Sequence, residues 1–323
     1  MLSRVKSLFD PLVRLLLLAI VLASVLPVSG ESRAIAQLVS DAAIFLLFLL
    51  NGLRLPREQV LRGMRNARFL IPLILWVFGA MGLAGLVGAE IGAASLPASM
   101  ALGFVFLGVL PSTVQSATAY SSLAGGNVAA SVVAAATLNI LGVFITAPLI
   151  GLMASSDMPG IDLGGLERIG LILLLPFALG QLLQNRLGPL VADNRKLVSW
   201  MDRIAIAIAV YVAFSGAVEQ GLWTLIGIAD WILLLAIVGA MLAFGFFGSW
   251  WVGGLLRLDL PDRIAFLFAG AQKSIAMGAP LAAILFPPAT AGLVLLPVLL
   301  YHLIQMVISA PLAGRFSRTL QAN

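Results

Sequence analysis

The 23 residues from Ile264 to Phe286 read IAFLFAGAQKSIAMGAPLAAILF and are apolar at both ends. About 20 helical residues cross a bilayer core, so the stretch is long enough to span one. Its centre nevertheless carries Gln272, Lys273 and Ser274. A lysine at mid-bilayer costs about 2.5 to 3.5 kcal/mol even on the lenient insertion scale, which makes an idle one unexpected. Gly270 frees the backbone just before the polar triplet and Ser274 is suited to cap a restarted helix. In lipid, such a break is tolerated only where the freed backbone groups face protein or a cavity. The stretch therefore predicts a broken helix with a polar site at the midplane.

The rest of the chain has the same solvent preference. Of 323 residues, 61% are hydrophobic and 10% charged, which fits an all-α polytopic membrane protein and not a soluble domain. Without cysteine, disulfides, thiolate metal sites and cysteine nucleophiles are excluded. Ten spans are predicted, at about 11–29, 34–51, 67–88, 98–123, 127–153, 164–185, 197–218, 226–252, 263–286 and 291–313. The first also resembles a secretory signal, but cleavage there would spoil the charge alternation between spans, so it is read as a helix. Arg4, Lys6, Arg14, the run from Arg54 to Arg68, Arg186 to Arg203, Arg257, Arg263, Arg315 and Arg318 fall on one side, and only Arg33 and Arg168 on the other. The positive-inside rule then places both termini in the cytoplasm, as for a multi-pass protein of a bacterial inner membrane. The net charge of +5 is thereby topology, with anionic lipid headgroups as its partner and no nucleic acid.

The fourth span shares the defect of the ninth. Its apolar part, Ala98 to Leu110, is too short to cross, and Pro111, Ser112, Thr113, Gln115, Ser116 and Thr118 follow. Proline removes a backbone donor and clashes with a continuing helix, so Pro111 marks a break. One break lies in the fourth helix of the first five, the other in the fourth helix of the second five. Five helices per half make the halves, 1–155 and 156–323, inverted repeats, divided by the polar linker MASSDMPGIDL at 153–163. Paired broken helices at matching positions point to a transporter binding site.

LPSTVQSATAYSSLAGGNVAASV and AGAQKSIAMGAPLAAILFP resemble the bile acid:sodium symporter family, and more closely its divergent branch with a Lys-Ser second crossover. The resemblance implies a core of helices 3, 4, 5, 8, 9 and 10 moving against a panel of helices 1, 2, 6 and 7. Substrate, a small organic anion, would sit between them. In sodium-coupled members the ninth helix presents Glu, Val, Gly, a variable residue, Gln and Asn. Here those positions are Phe268, Ala269, Gly270, Ala271, Gln272 and Lys273. Phe268 cannot ligate a hard cation that wants oxygens. The fourth helix offers Ser116 and Ala117, with Thr118 as substitute, and the fifth offers Ser131 but Ala135 in place of a threonine. Bound sodium, if any, would fall to Ser116, Ser131 and Gln272.

The substrate or ion site is thus expected from Gln115, Ser116, Thr118, Asn127, Ser131, Gln272, Lys273 and Ser274, with no other cofactor. The ammonium of Lys273 would stand where relatives bind sodium, donating to carbonyls and to Gln115, Ser116 or Thr118. Alternatives are a lysine that exchanges a proton and couples transport to it, and a static staple. Ser116 with Lys273 could instead form the dyad of an intramembrane enzyme, and a channel or a non-transporting regulator of this fold are further rivals. Ser131 and Thr137 could equally bond back to their own helix. His302 and Trp76 read as packing residues, Asp41 as an exposed or paired carboxylate, and Gly79, Gly82, Gly85 and Gly88 as helix contacts.

Overall fold

The computed structural model describes residues 11–54, 66–153 and 170–322, and every regular element among them is helical. In chain order the helices are α1 (Pro11–Val25), α2 (Glu31–Arg54), α3 (Ala67–Gly92), α4a (Ala98–Val109), α4b (Val114–Leu123), α5 (Val128–Met153), α6 (Gly170–Asp193), α7 (Arg195–Glu219), α8 (Ile228–Leu255), α9a (Leu260–Ala271), α9b (Ile275–Leu285) and α10 (Pro288–Ala322). Arg4, Lys6, Arg57, Arg62, Arg65, Arg168 and residues 154–163 of the expected linker lie outside the described residues.

Among the described residues eight helices are long and apolar enough to cross a membrane, and the pair α4a and α4b, bent by 56°, makes a ninth. The first predicted span, 11–29, is helical over Pro11–Val25 among the described residues and so ends four residues before the expected boundary. At the other end, α10 runs 35 residues, well past the 291–313 expected from hydropathy. Both breaks fall where the sequence predicts them. Leu110 to Thr113 connects α4a to α4b, and Gln272 to Ser274 connects α9a to α9b.

α2 packs on α6, and α7 packs on α1 and α2. α3, α4a, α4b, α5, α8, α9a, α9b and α10 form the larger body of contacts. Gly85 and Gly108 let α3 and α4a touch backbone to backbone, since a Cβ on Gly85 would strike Phe104 O and one on Gly108 would strike Met81 O. Without a hydrophobic drive between helices in lipid, close van der Waals approach of this kind is what holds them together. Gly82 and Gly88 also face neighbours, whereas Gly79 faces open space, so the expected contact fails at that one position.

The last turns of α7 pack closely on α10. Gly216 lies against Pro288 O, and Gly292 lies against Ala213 and Ala217. Toward the start of α7 the same interface opens into a cavity. Trp76 is buried and stacks on Phe244 at 5.0 Å between ring centres. Asp41 accepts a hydrogen bond of 3.0 Å from Gln37, one turn earlier on α2.

Candidate functional site

The two breaks meet. Ser274 N–H donates to Pro111 O at 2.9 Å, joining one interrupted backbone to the other. Lys273 is fully buried, and its ammonium donates to three carbonyls: Val77 O at 2.8 Å, Gly108 O at 2.6 Å and Leu110 O at 2.8 Å. An ammonium has three N–H groups and no acceptor, so this cage satisfies it completely.

Each carbonyl is available for a local reason. Gly108 and Leu110 lie at the C-terminal end of α4a, where the last carbonyls lack helical partners and the helix dipole favours a cation. Val77 sits in a π-helical turn, Leu75–Ala80, within α3. There Met81 N–H reaches back five residues to Trp76 O, leaving Val77 O open to the ammonium.

Several other backbone groups at the breaks bond to neighbouring side chains. Gln305 of α10 clamps Lys273, accepting from its N–H at 2.9 Å and donating to its C=O at 3.0 Å. Tyr301 donates to Ala271 O at 2.6 Å. Asn139 of α5 donates to Ser112 O at 2.7 Å, and Thr146 to Val109 O at 3.0 Å. Ser274 caps α9b by accepting from Met277 N–H at 3.2 Å. This accounts for how an extended backbone survives in an apolar interior.

The expected partners of the ammonium need correction. Lys273 does not bond to Gln115, Ser116 or Thr118, because its side chain turns back toward α3 and the end of α4a, while those residues lie beyond the break on α4b. Ser116 Oγ donates instead to Gln272 Oε1, and Gln272 Nε2 continues to Ser309 Oγ at 3.2 Å. The serine and the lysine therefore share no hydrogen bond, so no nucleophile and base face each other as the dyad requires. Thr118 and Ser131 each bury a hydroxyl without a hydrogen-bond partner among the described residues. Asn127 donates to Asp262 Oδ1 at 2.7 Å and accepts from Ala130 N–H at 3.0 Å. That ties the start of α5 to the start of α9a, about 15 Å along the helix from Gln272, so Asn127 is not at the crossover.

Beside the crossover lies a cavity of about 380 Å³, in the size range of small-molecule sites. Its walls come from α1, α2, α6 and α7 on one side and α4b, α5, α9b and α10 on the other. Thr113, Gln115 and Ser274 bring the crossover to its surface, and Asn139 and His302 line it as well. His302 also sits 2.9 Å from Gln305 through Nδ1, which links the cavity wall to the clamp on Lys273. Lys273 and Gln272 do not line it.

The charged groups on the cavity wall are Arg54, Asp202 and Arg203. Arg54 Nη2 bridges Asp202 Oδ2 at 2.6 Å and Asn51 Oδ1 at 2.7 Å. Hydropathy treats Arg54 and Arg203 as loop-side topology charges and passes over Asp202. The signal available in the sequence is an acid and a base at adjacent positions, 202 and 203, within the predicted seventh span. Gln305, Tyr301 and Asn139 were legible only as polar residues in apolar helices.

Phe268, at the position where sodium-coupled members carry a glutamate, is fully buried between Tyr120, 5.9 Å away, and Phe246, 6.4 Å away. Among the described residues no group of three or more His, Cys, Asp or Glu side chains comes together as a metal site.

The sequence model of the SBF-like CPA transporter family matches residues 10–318. The putative symporter YfeH of Escherichia coli is 35% identical over 312 residues, covering 96% of this chain and 93% of the relative. An uncharacterized protein of Pseudomonas aeruginosa, PA2026, is 35% identical over 320 residues, covering 98% and 95%. The sodium/bile acid cotransporter 7 of mouse is 21% identical over 291 residues, covering 85% and 82%. With a broken-helix crossover beside a cavity between apolar helices and a family match over nearly its whole length, the chain belongs to the SBF-like CPA transporter family.

Proposed function

We propose that the protein is a secondary active transporter of a small organic anion, working by alternating access, in which the ammonium of Lys273 takes the place of a bound sodium ion. The observation that carries this reading is the cage of Val77, Gly108 and Leu110 carbonyls around a buried lysine at the meeting of two broken helices. A monovalent cation held by carbonyls at a helix C-terminus is what sodium would offer there, and lysine supplies it permanently. Phe268 in its aromatic setting adds no oxygen ligand.

In this reading ten helices form two inverted repeats of five, 1–155 and 156–323. Helices α1, α2, α6 and α7 make a panel, and α3, α4a/b, α5, α8, α9a/b and α10 a core. Substrate occupies the cavity between them. The cavity borders Arg54 and Arg203, on the basic side of the membrane, and α7 is sealed on α10 at its other end. The arrangement is an inward-facing state of an inner-membrane protein with both termini in the cytoplasm.

Reconstituted uptake of organic anions, with sodium and pH gradients varied separately, tests the reading. Uptake is expected without sodium and is expected to be lost in Lys273→Gln. Sodium-dependent uptake, or uptake unchanged by the substitution, refutes the role given to Lys273.

A further inference from the structure

Resting on the transporter reading, we propose that the anionic group of the substrate is held by Arg54 and Arg203 in the panel wall, and that Asp202 occupies this site until substrate displaces it. The ammonium of Lys273 is fully buried, all three of its N–H groups are engaged, and it does not line the cavity. It cannot touch a molecule bound there. The cavity wall instead carries two cations and one anion, for a net charge of +1. That balance suits a monoanion.

The existing ion pair is incomplete. Asp202 is 8% exposed, yet only Oδ2 meets Arg54, and Oδ1 is buried with no hydrogen bond among the described residues. Arg203 Nε is likewise buried without a hydrogen bond among them. A guanidinium is a planar fork that binds carboxylate or sulfonate through two parallel bonds, and here it is engaged by a single carboxylate oxygen. A substrate anion able to use both prongs of Arg54 and reach Arg203 would gain what Asp202 leaves unmade. Arg54 is held ready for it by Asn51 Oδ1 at 2.7 Å and Leu50 O at 3.4 Å, on its own helix. The rest of the wall, including Leu47, Phe48, Val143 and Ile206, is apolar and would take the body of the molecule.

The test is equilibrium binding of taurocholate, dodecanoate and benzoate to the purified full-length protein in detergent. Arg54→Gln is expected to weaken the tightest of the three by about tenfold or more, the lower end of coupling for close charge pairs. Arg54→Lys keeps the charge without the fork and should fall in between, which keeps the test open if Arg54→Gln does not fold. Asp202→Asn removes the competing carboxylate and should tighten binding by about tenfold. Arg33→Gln, on the same helix but away from the cavity, should change nothing. Wild-type affinity in Arg54→Gln, weaker binding in Asp202→Asn, or no binding of any probe at millimolar concentration overturns the proposal. Uptake that persists in Arg54→Gln refutes the anion site and leaves transport standing. Binding with these dependences but no uptake by the wild type does the reverse.

Discussion

Replacing Lys273 with methionine keeps most of the apolar stem and removes the ammonium, so three buried carbonyls lose their donor at once. An unmet buried polar group costs about 1 to 3 kcal/mol, which puts the gross loss at roughly 3 to 9 kcal/mol. Against this stands the relief of no longer burying a charge, several kcal/mol for an ion in a protein interior. The net expectation is a destabilisation of about 3 kcal/mol, what remains of the lost carbonyl bonds after that relief. Glutamine is shorter but carries two N–H donors, so Lys273→Gln should keep up to two of the three bonds and lose about 1 to 3 kcal/mol. Thermal unfolding in detergent should therefore rank wild type above Lys273→Gln above Lys273→Met. Uptake, by contrast, should be lost in both, because neither supplies a cation. If Lys273→Met unfolds at the wild-type temperature, the cage contributes nothing and the account of the crossover is wrong. If Lys273→Gln is destabilised but transports at the wild-type rate, the lysine is only a structural tie.

Three more outcomes test other parts of the structure. Gln272→Ala removes the acceptor of the Ser116 hydroxyl and the donor to Ser309, and should lower stability by about 1 to 3 kcal/mol, read as an earlier unfolding transition in detergent. Gly108→Leu forces α4a away from Met81 O and displaces one wall of the ammonium cage, so folded protein recovered from membranes should drop sharply; recovery equal to wild type would deny the backbone contact. Gly216→Val wedges the sealed end of α7 away from Pro288 O. A cysteine introduced as Asn51→Cys, in a chain with none of its own, should then become less accessible to an impermeant thiol reagent added on the side where Arg54 and Arg203 lie.

Hydropathy alone carried the all-helical membrane architecture, because a backbone in lipid must satisfy itself and few structures do so. The two breaks were equally legible. Pro111 removes a donor, and Gln272, Lys273 and Ser274 interrupt an apolar run, and both are properties of a few consecutive residues. The end of α1 at Val25 was not legible, since helix ends depend on local contacts that hydropathy does not contain.

Which atoms surround Lys273 was decided by packing. Val77 belongs to a π turn in α3, a register shift that leaves no mark in composition, and it lies 196 residues from the lysine it serves. Asn127 and Gln272 are both polar residues near predicted breaks, but only the path of α9a separates one from the other. Arg54 and Arg203 read as ordinary charges near helix ends, and Asp202 is passed over, until α2 and α7 meet and turn all three toward a shared cavity. The sequence by itself determined that the chain is a succession of apolar helices, where two of them break and that a lysine lies within one of them, since these follow from local chemistry. Tertiary structure alone decided that this cation is sealed from the cavity while two arginines face it, because the direction of a side chain is set by neighbours far away in the chain.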